Sequence, residues 1–167
     1  MQKDLKRLIE GDLTAFDSFY EKTKRSVFYN IYAILKDEQL SEDALQETYI
    51  KFLNNLKNLD EKQNILGYLF VISRNIALDM IKKRKREVEI KHEYQDIFID
   101  NTTANFEYDE AIEKAKKLLN NKEFEILILH TVNELTHKEI AKLLKMPLGT
   151  VTWTYNNAIK KLKKGWK

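Results

Sequence analysis

The stretch THKEIAKLLKMPLGTVTWTYNNAIKKLKKGWK, residues 136–167, decides how this chain reads. Thr136-x-x-Glu139 is a capping box, in which the threonine hydroxyl and the glutamate carboxylate each satisfy a backbone N–H that the first turn of a helix leaves free. Lys145-Met146-Pro147 breaks that short helix, and Pro147 sits where the next one tolerates it, in the first turn. The second helix carries Thr150, Thr152, Trp153, Thr154, Tyr155, Asn156 and Asn157 and ends in a lysine cluster. Two short helices across a tight turn, the second polar, aromatic and basic, are a device for putting side chains into a DNA major groove. A helical hairpin that merely packs would leave Trp153 and Tyr155 exposed without a purpose.

Working back from this element, the spacing predicts helix almost throughout. One proline and four glycines in 167 residues leave few breaks. After Gly11-Asp12, the apolar residues Phe16, Phe19, Tyr20, Val27, Ile31, Ile34 and Leu35 recur at helical intervals. Ser41-Glu42-Asp43 reads as a helix start, with a capping hydroxyl and acids at the positive end of the dipole. That helix buries Ala44, Leu45, Thr48, Tyr49, Phe52 and Leu56. Asn54 to Asn64 reads as a loop, and a third helix from Ile65 buries Leu66, Leu69, Ile72, Ile76 and Ile81 before running into Lys82-Lys83-Arg84-Lys85-Arg86. Glu87 to about Asn105 shows no sustained period and reads as a linker. Ala111–Leu119 and Phe124–Val132 then lead to the closing pair.

Charge is unevenly spread. Residues 1–91 hold seventeen Lys or Arg against fifteen acids, 92–113 hold seven acids and no Lys or Arg, and 114–167 hold twelve Lys against four Glu. The net charge of +3 hides two basic regions separated by an acidic strip, a pattern that suits a polyanion at both ends of the molecule. With no cysteine and three scattered histidines, disulfides and thiolate catalysis are excluded and a zinc site is not expected. No cofactor is implied. No apolar run approaches the ~18 residues of a membrane span, and the N-terminus lacks the pattern of a secretion signal, so a cytoplasmic protein without membrane insertion is the expectation.

Three further groupings carry chemistry. The run Lys82, Lys83, Arg84, Lys85 and Arg86 continues a helix, so its charges surround a rigid rod able to neutralise phosphates. Tyr68, Arg74 and Asn75 on the same helix combine an aromatic ring with groups able to stack on or bond an unstacked base, although Tyr68 suits a core position equally by spacing. Glu42, Asp43, Gln46 and Glu47 give one helix an acidic outer face that DNA would avoid and that water or another protein would meet.

In this order the residues resemble bacterial sigma factors. Gly11-Asp12, Ala15-Phe16 and Tyr20, then Ser41 through Ile50, then Tyr68-Leu69 with Ile72 through Asp79 and the basic run, are similar to the second region of that family. Glu139-Ile140-Ala141, Leu144, Met146-Pro147, Gly149-Thr150-Val151 and Ala158 resemble the helix-turn-helix of the fourth region, and the absence of a domain between them resembles the small extracytoplasmic-function (ECF) type. The resemblance implies an all-α fold of two small helical domains: 1–90 binding core polymerase and the minus-ten element, an acidic linker at 91–108, and a helix-turn-helix domain at 109–167 for the minus-thirty-five element. It implies core RNA polymerase and promoter DNA as partners and admits an anti-sigma factor as a third. Asp43, Gln46, Glu47 and Ile50 would dock on the polymerase. Tyr68, Arg74, Asn75 and Lys82 to Arg86 would meet and open the minus-ten element. Thr136, Lys138, Thr150, Thr152, Trp153, Asn156, Asn157 and Lys160 would meet the minus-thirty-five element. The acidic linker would lie along the polymerase near its active-site channel.

Family members usually carry several arginines on the recognition helix, where this chain has Thr152, Trp153, Thr154, Asn157 and Ile159. Asparagine suits adenine, and threonine or aromatic groups can touch the thymine methyl, so the sequence predicts an A·T-rich upstream element. Such a chain is a specificity subunit and not an enzyme. A freestanding helix-turn-helix regulator is the alternative, and a helical protein adaptor a third.

Overall fold

The structure is a computed structural model that describes residues 1–91 and 110–165. Its α-helices are α1 (Gln2–Ile9), α2 (Phe16–Leu35), α3 (Glu38–Asn54), α4 (Ile65–Lys91), α5 (Glu110–Leu118), α6 (Asn121–Thr131), α7 (His137–Leu144) and α8 (Leu148–Gly165), with no strand among the described residues. Helices α2, α3 and α4 pack on one another, with α1 against α2; α7 and α8 pack on α6, and α5 on α8. The expected linker lies outside the described residues except for Lys91, which closes α4. That helix runs on through Glu87–Lys91, where the acids led us to expect its end. No glycine or proline lies between Gly67 and Lys91, and Glu and Lys are good helix formers.

Aromatic rings fill the first bundle. Phe19 of α2 stacks on Phe52 of α3 with centroids 5.0 Å apart, and Tyr49 shares a 2.7 Å hydrogen bond with the Thr23 hydroxyl. Truncating a ring such as Phe52 would cost about 3–5 kcal/mol. Asn30 of α2, also buried, donates to the Phe70 carbonyl at 3.1 Å and the Ser73 hydroxyl at 2.8 Å on α4, satisfying polar groups that burial would otherwise penalise. The start of α3 differs from expectation. Asp37 is the cap, accepting from the Leu40 N–H at 2.9 Å, and Ser41 lies a turn inside, buried, donating to the Asp37 carbonyl at 2.5 Å. Both residues are cap formers, and only the tertiary position of α3 selects between them.

The closing element forms as its sequence predicts. Thr136 and Glu139 make the capping box of α7, Lys145 closes the helix in the left-handed region (φ 53°), and the Met146 N–H returns to the Ala141 carbonyl at 2.9 Å. Pro147 stands just before α8, its carbonyl accepting from the Val151 N–H. A second capping box, Asn120 with Glu123, starts α6. Ile126, Leu129, Ile140, Leu144 and Val151 form the core of this unit.

The two halves also share a core. Phe124, Leu127 and Ile128 of α6 belong to one buried cluster with Phe28 and Tyr32 of α2. Tyr32 and Phe124 meet edge to face at 6.4 Å, and the Lys36 ammonium lies 5.1 Å from the Phe124 centroid. The Tyr32 hydroxyl donates to Glu113 of α5 and accepts from Lys116 at 2.6 Å.

Candidate nucleic-acid interface

Helix α8 divides cleanly. Val151, Thr154, Ala158 and Leu162 are buried, while Trp153, Asn156 and Lys160 point to solvent. Trp153 is 68% exposed, an unusual state for so large a ring. Thr150 is exposed at the start of the helix and Thr152 half-buried at the edge facing α7. Thr136 and Lys138 stand exposed on the first turn of α7, the threonine engaged as the cap. Tyr155, expected at the surface, packs against His130 and His137 at centroid distances of 4.6 and 5.0 Å. Asn157 is half-buried and donates to Glu123 at 2.7 Å, with Lys161 at 2.8 Å from the same carboxylate. Burial works against the Glu123 charge, but Lys161, the Asn120 N–H and Asn157 outweigh it and hold the carboxyl below its ordinary value. This clamp fixes α8 on α6.

On α4, Lys82 through Arg86 are all exposed. Lys82 lies 3.6 Å from Asp79, whereas no carboxylate among residues 1–87 and 110–165 is within ion-pair range of Lys83, Arg84 or Lys85. Asn75 is exposed on the same helix. Tyr68 is half-buried against the core, and its hydroxyl accepts from Asn55 at 2.6 Å. Arg74 is elsewhere engaged: its guanidinium lies 3.2 Å from the Glu125 carboxylate of α6, with the two side chains 17% and 9% exposed. Its Nε is buried without a hydrogen-bond partner.

On α3, Asp43, Gln46 and Ile50 are exposed along one face and Glu47 is half-buried, 3.0 Å from Lys51. Ile50 is 59% exposed within this acidic surface. Burial, then the charges of Glu38 and Asp43, push the neighbouring Glu42 carboxyl up. These surfaces are distinct in chemistry: an acidic face with an apolar centre, a basic rod, and a polar aromatic helix face. Sequence reasoning missed the Glu123 clamp, the Arg74–Glu125 pair and the His130–His137–Tyr155 cluster. Each joins residues far apart in the chain, and no local spacing signals it.

Residues 19–87 match the family described as sigma-70 region 2, and residues 109–162 match sigma-70, region 4. The chain is 25% identical over 165 residues to the ECF RNA polymerase sigma factor SigW of Bacillus subtilis, covering 90% of this chain and 88% of that one. To SigM of the same organism it is 25% identical over 134 residues, with coverage of 78% and 82%. In fold it is similar to the sigma factor RpoE from Bartonella quintana, solved with the anti-sigma factor NepR (TM-score 0.72, 19% identity, 90% of this chain and 96% of that one). It is likewise similar to CnrH, solved with the cytosolic domain of CnrY (TM-score 0.66, 16% identity, 98% and 94%). With both regions matched in order and their exposed faces in place, the chain belongs to the sigma-70 family as a small ECF sigma factor, a subunit that gives RNA polymerase its promoter specificity.

Proposed function

We propose that the three surfaces divide the work of initiation. The α3 face of Asp43, Gln46, Glu47 and Ile50 docks on core RNA polymerase; an exposed isoleucine ringed by acids suits a partner that is basic around an apolar contact. The α4 rod meets the minus-ten element: Lys82 to Arg86 neutralise backbone phosphates, and Tyr68, Arg74 and Asn75 line the place where an unstacked base is held. Extruding that base costs a few kcal/mol, which stacking and hydrogen bonds offset. Helix α8 reads the minus-thirty-five duplex with Thr150, Thr152, Trp153, Asn156 and Lys160, while Thr136 and Lys138 meet phosphate. Asn157 joins them once it exchanges Glu123 for DNA.

The observation that carries this reading is the exposure of every cation from Lys82 to Arg86 on α4, beside a recognition helix whose outer face is exposed. The domains correspond to 1–90 and 109–167. Nucleotidyl transfer belongs to the polymerase, and this subunit is not an enzyme. It acts in the cytoplasm, consistent with no described helix being long and apolar enough to cross a membrane. The complex of RpoE with the anti-sigma factor NepR supports a protein of that class as a third partner.

The two elements lie about 25 base pairs apart, or ~85 Å at about 3.4 Å per base pair. A compact chain of this length has a radius of gyration of about 15 Å, so domains packed through Tyr32, Phe124 and the Arg74–Glu125 pair fall short of that distance and the closed arrangement opens when the promoter is engaged. The test is run-off transcription with core polymerase and this protein. Initiation that requires the protein, and is lost in Ile50→Asp, supports the reading. Duplex binding without any effect on initiation overturns it in favour of a freestanding regulator.

A further inference from the structure

His137, the first residue of α7, lies where α6, α7 and α8 meet. Its ring contacts His130 of α6 at 4.7 Å and Tyr155 of α8 at 5.0 Å between centroids, and His130 touches Tyr155 at 4.6 Å. The triangle of rings fixes the orientation of His137. In that orientation Nδ1 lies 3.2 Å from the Thr152 hydroxyl oxygen, and Nε2 is buried without a partner.

These contacts assign the proton. Burial, and secondarily the neighbouring His130, favour the uncharged ring, which carries one N–H. A buried orphan N–H is rarer and costlier than an unpaired acceptor, so the hydrogen resides on Nδ1 and is donated to Thr152. The Thr152 oxygen therefore accepts from His137, and its own O–H remains to be placed. Thr23, Thr48 and Thr131 donate to the carbonyl four residues back in their helices, at 2.8, 2.7 and 2.7 Å. Thr152 makes no such bond, and it stands at the edge of the outer face of α8.

We propose that His137 sets the base preference of Thr152: it occupies the hydroxyl oxygen and turns the O–H outward as a donor, which favours thymine at the base pair Thr152 meets. Thymine presents O4 as an acceptor beside its C5-methyl, matching a threonine that offers a donor and a methyl together. Cytosine presents an amino donor there, which an O–H donor repels, and guanine offers acceptors without the methyl. His137 is a positioning residue and touches no DNA. The proposal rests on the assignment of Thr152 to the upstream duplex.

The test uses the full chain with core polymerase on a promoter library randomised in the upstream element, at fixed salt. Thr152→Val removes the hydroxyl while keeping the shape, His137→Phe keeps a ring in the cluster while removing Nδ1, and the double variant closes the cycle. Thr152→Val should reduce thymine selection at one position about fivefold, the value of one hydrogen bond. His137→Phe should reduce it at the same position by a similar factor, and the double variant no further than Thr152→Val alone. Equal losses from His137→Phe in both backgrounds, or a loss uniform over all sequences, would show a structural role only and overturn the proposal. If Thr152→Val alters no position, the assignment of Thr152 to a base fails, and the proposal with it. Thermal unfolding of each variant separates these outcomes from loss of fold.

Discussion

Glu125→Gln removes the carboxylate that Arg74 holds across the two halves of the molecule. At 3.2 Å the gross attraction is about 5 kcal/mol for an effective dielectric of about 20. Desolvation of both groups opposes most of it. Exposed pairs are worth about 0–1 kcal/mol, and breaking a buried pair costs about 3–5 kcal/mol. With side chains 17% and 9% exposed, this pair lies towards the buried limit. Opening of the domains, however, lets Arg74 regain water and caps the penalty. The expected effect is about 2 kcal/mol on the closed arrangement, a shift of roughly 30-fold towards the open one. The sequence contains no cysteine, so Lys51→Cys on α3 and Lys163→Cys on α8, both exposed, accept a donor and acceptor dye selectively. Energy transfer should fall in Glu125→Gln and return when Arg74→Glu is combined with Glu125→Arg in a Lys122→Ala background, which removes the lysine that lies 2.7 Å from the Glu125 carboxylate and would repel the new arginine. Identical distance distributions for wild type and Glu125→Gln would refute the reasoning, and so would failure of the charge swap with Glu125→Gln effective.

Neutralising Lys83, Arg84 and Lys85 together to Gln should reduce the slope of log binding against log salt by about 0.7–0.9 per charge, while stability stays within about 0.5 kcal/mol; an unchanged slope on minus-ten DNA would remove the rod from the interface. Trp153→Ala should leave the melting temperature nearly unaltered because the ring is solvent-facing, yet weaken upstream duplex binding about tenfold, from a stacking or methyl contact of about 1–3 kcal/mol. Selection from random promoters should return an A·T-rich upstream element, and a G-rich one would defeat the reading of this helix. The Glu123 carboxyl is held below its ordinary value in the folded protein, so its contribution to stability is full above about pH 4.3 and is lost as pH falls through the lowered folded value. Urea unfolding from pH 6 to 3 should show a shallower decline for Glu123→Gln than for wild type.

Local signals carried most of the architecture. The capping box at Thr136, the break at Lys145 to Pro147 and the apolar spacing of the first ninety residues each rest on neighbours within one or two turns, where sequence is informative. The start of α3 was misplaced because Asp37 and Ser41 have equivalent capping chemistry, and the choice depends on what the helix packs against. The end of α4 was misplaced because helix propensity persists into a segment whose acids suggested a break. Among candidate site residues, the exposed states of Lys82 to Arg86, Trp153 and Asn156 follow from helical phase alone. The engagement of Arg74 by Glu125, of Asn157 by Glu123 and of Tyr155 by two histidines does not, since those partners lie eighteen to fifty-one residues away and are brought near only by tertiary packing.

The clamp of Glu123 on Asn157 and Lys161, with Val151, Thr154, Ala158 and Leu162 inside, holds α8 from its inner side only. Its outer residues, Trp153, Asn156 and Lys160, are therefore replaceable without disturbing the scaffold. On the division of surfaces proposed above, promoter vocabulary can drift, or be rewritten by an engineer seeking an orthogonal expression circuit, through a handful of codons while the docking face proposed on α3 is inherited unchanged.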